Sequence, residues 1–280
     1  MYTAFNLKIN LDDLPWDNEY IEIGKQNKAT ISNIVQRELG SFLLSDEILD
    51  GEKLSEAWFK TNEYDVFISH SHNDADLAMA LSGWLKKEFN LEVFLDEVVW
   101  GSADKLLREI DSIYSYQKAT DTYNYRKRNF TTSHVHAMLS AAIQSVMDKS
   151  EAIFFLNTEE SFPSISNVLK ENSEYTLSPW IYQEIMNAKL LRQVDWSVYR
   201  IKKALCHSVY ESSSVDLKIA YKTPLNDFAS LDASALTIWH ENYSKNKTRC
   251  YSVSIDASDN HPLNLLYDIV FEIHSQSCIR

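Results

Sequence analysis

The chain reads as an α/β protein built on a doubly wound parallel sheet, and three features of the sequence predict this. Short, wholly apolar runs recur along it, each too apolar for a half-exposed strand and therefore suited to a sheet buried on both faces. Stretches with apolar residues at helical spacing lie between them. The first two runs and the stretch joining them make a strand–helix–strand unit of about thirty residues, the length of a right-handed crossover.

Tyr64-Asp65-Val66-Phe67-Ile68 is the first such run, and the polar stretch Ser69 to Asp74 follows it. Leu77, Leu81, Trp84, Leu85 and Phe89 then share one helical stripe, which Asn73 or Asp74 can cap. Leu91 to Leu95 is the second strand, and Glu151 to Leu156 the third. A helix is predicted over 136–149, with Leu139, Ile143, Val146 and Met147 inward. Ser178-Pro179 has the N-cap and first-turn signature of a further helix, continuing through Ile181, Ile185 and Ala188. Asp216 to Tyr221 and Ala235 to Trp239 are candidate strands, and His261-Pro262 opens a final helix. Leu106, Leu107 and Ile110 suggest a short helix, and 114–132, rich in Tyr, Thr, Asn and Arg, reads as a long loop. Residues 1–62 read as an N-terminal extension holding a helix through Leu54 and Ala57, residues 63–280 as the domain, and 102–132 as an insertion after the second strand.

Composition narrows the function classes. A net charge of −13 over 280 residues disfavours nucleic-acid binding, whose affinity comes from Lys and Arg neutralising phosphates. The one basic knot is Arg126-Lys127-Arg128. Cys206, Cys250 and Cys278 are too scattered for a disulfide framework or a zinc motif, which suits a reducing compartment. With no signal-peptide core in 1–18 and no apolar stretch of the ~20 residues a membrane helix needs, a cytoplasmic protein without membrane partners is expected. GxGxxG, GxxxxGK[ST] and GxSxG are all absent.

In a doubly wound sheet, ligands sit beyond the carboxyl ends of the strands. Two groups there could carry chemistry. His70, His72 and Asp74 have ligand-like spacing after a strand, as in a metal-dependent hydrolase, with His134 and His136 as further donors; loop and cap roles account for them more simply, so the hydrolase stands as the lesser alternative and no metal is expected. Glu184 shares a stripe with Trp180 and Asn187 beside the buried face of its helix. A carboxylate at the strand-end crevice would stabilise an oxocarbenium-like transition state as an N-glycosidic bond breaks. Spacing alone reads it more simply as a solvated surface residue.

Three segments resemble the Toll/interleukin-1 receptor (TIR) domain family in its bacterial form. Tyr64-Asp65-Val66-Phe67-Ile68-Ser69-His70 is similar to the family's first signature segment. Leu91-Glu92-Val93-Phe94-Leu95-Asp96 resembles the second strand leading into its BB loop. Ser178-Pro179-Trp180-Ile181-Tyr182-Gln183-Glu184-Ile185 resembles the segment bearing the glutamate of NAD-cleaving members. The resemblance covers 63–275 and implies a flavodoxin-like sheet. It implies two classes of activity, cleavage of the nicotinamide–ribose bond of NAD or non-catalytic adaptor function. On the enzyme reading NAD is substrate, no cofactor is required, and the product is ADP-ribose or a cyclic variant made in anti-phage defence. Glu184 would then steady the oxocarbenium ion, and Phe67, Ile68, Ser69, His70 and Ser71 would line the crevice with Asp96. Trp100 would stack on the nicotinamide or its ribose, and Trp180 would stack or simply pack; Phe67 is equally readable as core. Self-association through TIR surfaces and a downstream effector sensing the product are the partners implied.

Overall fold

A computed structural model of the chain describes all residues except 15–17, 33–41, 46–47, 60–61, 164–174, 196–198, 200–220, 251–260 and 278–280. Five parallel strands form its central sheet: β1 (Thr3–Lys8), β4 (Val66–Ser69), β5 (Val93–Leu95), β8 (Ala152–Leu156) and β11 (Ala229–Asp232). Their spatial order is β11-β1-β8-β4-β5. Counted from β4, this is the flavodoxin-like order 2-1-3-4-5, except that the N-terminal strand fills the fourth place.

That placement corrects the reading of 1–62 as an extension outside the domain. Residues 3–8 lie inside the sheet, Phe5 pairing with Phe154 on one side and Ala229 on the other. Ala4, Phe5 and Leu7 are buried with the other strands' side chains. The run Thr3 to Lys8 includes Thr3, Asn6 and Lys8 among its six residues, so its apolar signal is weaker than that of β4 or β8. Asn6 is nevertheless buried, and its Oδ1 accepts from Asn157 Nδ2 at 2.8 Å.

Eight helices of the described residues surround the sheet: α1 (Asn18–Ser32), α2 (Gly51–Trp58), α3 (Ala75–Phe89), α4 (Glu97–Tyr114), α5 (Tyr125–Lys149), α6 (Pro179–Leu190), α7 (Ala233–Cys250) and α8 (Pro262–Ser277). They fall into two contacting groups. In the first, α1 packs along α3, and α3 meets α7 through Trp84, Phe89 and Trp239, the Phe89 and Trp239 rings stacked 4.1 Å apart. Trp239 Nε1 donates to the Pro262 carbonyl at 2.8 Å, which ties α7 to α8. In the second group α4 and α6 pack on α5. A hairpin of β2 (Leu43–Ser45) and β3 (Ile48–Leu49) leads into α2, which Asp50 caps by accepting from Lys53 N at 3.1 Å.

Two further expectations change, and a third falls largely outside the described residues. The segment 114–132 is not a long loop. It is the end of α4, a hairpin of β6 (Tyr116–Gln117) and β7 (Thr122–Tyr123), and the first turns of α5; the short helix suggested by Leu106, Leu107 and Ile110 is part of the 18-residue α4. Asn124 caps α5, its side chain accepting from Lys127 N at 3.0 Å. Residues 125–130 are all exposed, so these turns carry no apolar stripe to betray them. Ala235 to Trp239 is helical, because Asp232 accepts from Ala235 N at 2.8 Å and starts α7 there; the strand is the preceding β11. The candidate strand at 216–221 lies outside the described residues but for Tyr221. That residue pairs with Thr176 in a small two-stranded antiparallel sheet of β9 (Tyr175–Thr176) and β10 (Tyr221–Lys222).

Candidate functional site

The loop after β4 and the first turn of α4 meet beyond the carboxyl ends of β4 and β5, where the amide of Asp96 donates to the Ile68 carbonyl at 3.2 Å. Helix α6 delivers Glu184 to the same place. Ser178 sets that helix's start, its Oγ accepting from Ile181 N at 3.3 Å with Pro179 in the first turn. From that start Ile181, Glu184, Ile185 and Ala188 all fall on the buried face.

Glu184 has no exposed surface, so it is not the solvated helix residue that spacing alone suggests. Ser69 Oγ donates to its Oε2 at 2.6 Å, and its Oε1 makes no hydrogen bond. Burial holds the Glu184 carboxyl well above the ordinary carboxylate range, the nearby Asp96 carboxylate raises it further, and the Ser69 hydroxyl partly offsets both. The resting group is therefore biased towards its neutral form.

Asp96 is shared. Its Oδ1 lies 2.6 Å from His70 Nδ1, and its Oδ2 accepts from the His70 amide at 3.1 Å. It also accepts from Glu97 N at 2.7 Å, which caps α4. Burial pulls the His70 pKa down, but the charge and hydrogen bonding of Asp96, with Glu97 and Asp74 behind it, leave it above its ordinary value. Ser69, Glu184, Asp96 and His70 thus form one buried polar chain at the sheet end.

The remaining loop side chains point to separate partners. His72 Nδ1 lies 3.0 Å from Glu97 Oε1, and Glu97 Oε2 accepts from Lys28 of α1 at 2.5 Å. Asp74 sits at the start of α3 without capping it; its Oδ2 instead accepts from Thr158 Oγ1 at 2.7 Å and Ser161 Oγ at 2.8 Å. Ser161 Oγ in turn accepts from Ser71 N at 3.0 Å. His70, His72 and Asp74 are therefore not gathered round one point. His134 and His136, on α5, meet Phe130 and Trp180 edge-to-face.

Of the residues expected to line the crevice, Ser69, His70, Asp96 and Glu184 come together. Phe67 and Ile68 do not join them: both are wholly buried in the sheet, Phe67 stacked on Phe94 at 5.4 Å. Trp180 is half-buried and packs edge-on against His136, a packing role. Trp100 lies in the first turn of α4, and its side chain is outside the described residues. Sequence reading missed the part played by Glu97, which joins the His72 loop to α1. It stands beside Asp96 at the end of an apolar run, and only that adjacency signals it.

No family model, curated protein or solved structure matches this chain. No described helix is long and apolar enough to cross a membrane.

Proposed function

We propose that the chain is an NAD-cleaving enzyme of the TIR type, and that Glu184 stabilises the ribosyl cation formed as nicotinamide leaves. One observation carries the reading. Glu184 is buried at the carboxyl end of β4 with one oxygen fixed by Ser69 and the Asp96 carboxylate beside it, a fixed cluster of acidic groups suited to a developing positive charge. The C1′–N bond breaks with its electron pair going to the nicotinamide nitrogen. Positive charge develops on the ribose, and water, or an adenine nitrogen in a cyclising enzyme, adds to C1′. A fixed carboxylate in a site of low dielectric favours that charge.

The raised pKa fits a cationic substrate. Without ligand, burial and Asp96 favour the protonated carboxyl. A nicotinamidium next to it favours the anion, so NAD binding is accompanied by proton release. The resemblance extends the proposal to anti-phage defence inside the cell, to self-association, and to an effector that senses the product. It involves no cofactor beyond the NAD consumed.

A second reading has its own support. Glu184 has no exposed surface, and neither described cavity reaches it, which suits a non-catalytic TIR interaction module. One experiment separates the two. Purified full-length protein is incubated with NAD, and nicotinamide is followed by chromatography. The enzyme reading expects release by wild type and a rate at least ~100-fold lower in Glu184→Gln, the scale seen when a transition state is deprived of one electrostatic stabiliser. A fully active variant overturns it.

A further inference from the structure

We propose that Asp65, Glu151 and His261 form a divalent-metal site at the opposite end of the sheet from Glu184, and that zinc is the ion their donor set suits. The proposal is independent of the NAD reading. Asp65 immediately precedes β4, Glu151 precedes β8, and His261 precedes α8. Strands β4 and β8 are parallel neighbours with Val66 opposite Ala152, so the two carboxylates emerge side by side at the amino ends of the strands. The amide of Ala152 donates to the Asp65 carbonyl at 2.9 Å and that of Glu151 to the Tyr64 carbonyl at 3.3 Å, which holds both backbones in place. His261 is fixed from the other side, its carbonyl accepting from Asn264 N at 3.0 Å in the first turn of α8.

One ligand atom from each of the three residues lies within 4.8 Å of the others. Asp65 and Glu151 are buried, 6% and 1% exposed, and two carboxylates this close in a low-dielectric interior favour a cation between them. Each carboxylate already has one oxygen held from outside the cluster. Asp65 Oδ2 accepts from Glu92 N at 2.7 Å, and Glu151 Oε1 accepts from Tyr267 Oη at 2.8 Å. This is the outer support that metal-binding carboxylates have. Asp65 Oδ1 stands 4.0 Å from His261 Nε2, too far for a hydrogen bond. Neighbouring ligands on a tetrahedral zinc are about 3.3 Å apart, so a small contraction completes the geometry. An imidazole in the set disfavours calcium and magnesium, which take oxygen donors, and points to a first-row ion. His261 is partly exposed, leaving a side on which water supplies the fourth ligand. An ion here would clamp β4, β8 and α8 together.

The test uses the full-length chain, stripped with EDTA and titrated with zinc sulfate. Bound metal is measured by atomic emission and unfolding by a thermal melt. One zinc per chain is expected, with a midpoint about 5 °C higher at zinc a hundredfold above its dissociation constant. His261→Ala removes the one nitrogen donor and leaves both carboxylates in place, and both effects are expected to vanish in it. Asp65→Asn keeps the acceptor for Glu92 N and is expected to lose zinc as well. His134→Ala, at an exposed histidine elsewhere, retains both effects. A wild type that neither binds nor responds to zinc overturns the proposal, as does an undiminished response in His261→Ala. Neither readout depends on NAD cleavage.

Discussion

Ser69 and Glu184, 115 residues apart in the chain, are joined by a 2.6 Å hydrogen bond inside the protein, the serine hydroxyl donating to the glutamate's Oε2. The donor comes from the last residue of β4 and the acceptor from the middle of α6. The bond therefore registers a helix against a strand end as well as tuning a carboxyl group.

Replacing Ser69 by Ala removes the one interaction that lowers the Glu184 pKa. On the proposed mechanism the acid limb of NAD cleavage moves to higher pH. At pH 6 the rate falls about tenfold, since a hydrogen bond to a charged group contributes ~1.5–3 kcal/mol. The measurement is kcat/KM against pH for both proteins; superimposable profiles would exclude a tuning role for Ser69.

Glu184 also makes stability depend on pH. Its folded pKa is raised, so over the interval between the unfolded value and the folded one the native state binds more protons than the unfolded chain. Stability then falls as pH rises through that interval. Glu184→Gln keeps an acceptor for Ser69 and cannot ionise. Its stability relative to wild type should therefore grow from pH 5 to pH 8, read as urea midpoints. A constant difference would mean that Glu184 is not held in its neutral form.

Close approach of α1 and α3 depends on two glycines. A methyl group at Gly83 would run into the Tyr20 carbonyl oxygen, and one at Gly24 into that of Met79. Backbone cannot yield as a side-chain tip can. Gly83→Ala is thus expected to cost ~1–3 kcal/mol or more and to lower the melting midpoint by several degrees. An unchanged midpoint would show that α1 does not pack on α3 as described.

Asp111 joins α4 to the start of α5, accepting from Arg128 Nε at 2.9 Å and Thr131 Oγ1 at 2.7 Å. The Arg128 side chain is half exposed, so its pairing contributes little. Thr131 Oγ1 keeps a second acceptor, the Arg128 carbonyl at 3.0 Å. Asp111→Ala should accordingly destabilise by only about 1 kcal/mol in urea titration, near the low end for a buried hydrogen bond. A loss of several kcal/mol would show that the ion pair matters far more than its exposure suggests.

What was legible in the chain follows from how strongly each element depends on burial. β4 up to Ile68, β5 and β8 are apolar because both faces are covered, and α3 and α6 carry clear stripes or caps. β1 escaped notice because it mixes Asn6 and Lys8 with its apolar residues, and Asn6 is satisfied by a partner remote in sequence. The outer turns of α5 escaped because residues 125–130 are exposed and carry no apolar stripe. At the site, Ser69, His70, Asp96 and Glu184 were legible through segment resemblance rather than periodicity. Their mutual wiring was not, since it depends on a strand register and a helix rotation that no local pattern encodes. Phe67 and Ile68 belong to the same segment but point to opposite, covered faces of the sheet, as strand alternation requires.

The place of β1 between β8 and β11 shapes how the molecule can assemble. β1 must wait for both its neighbours, since Thr3 pairs with Ala152 and Phe5 with Ala229. Until then a six-residue ribbon has open edges, and the sheet is split into halves that only β1 can join. Such long-range closure slows folding and places the main kinetic hazard at β1.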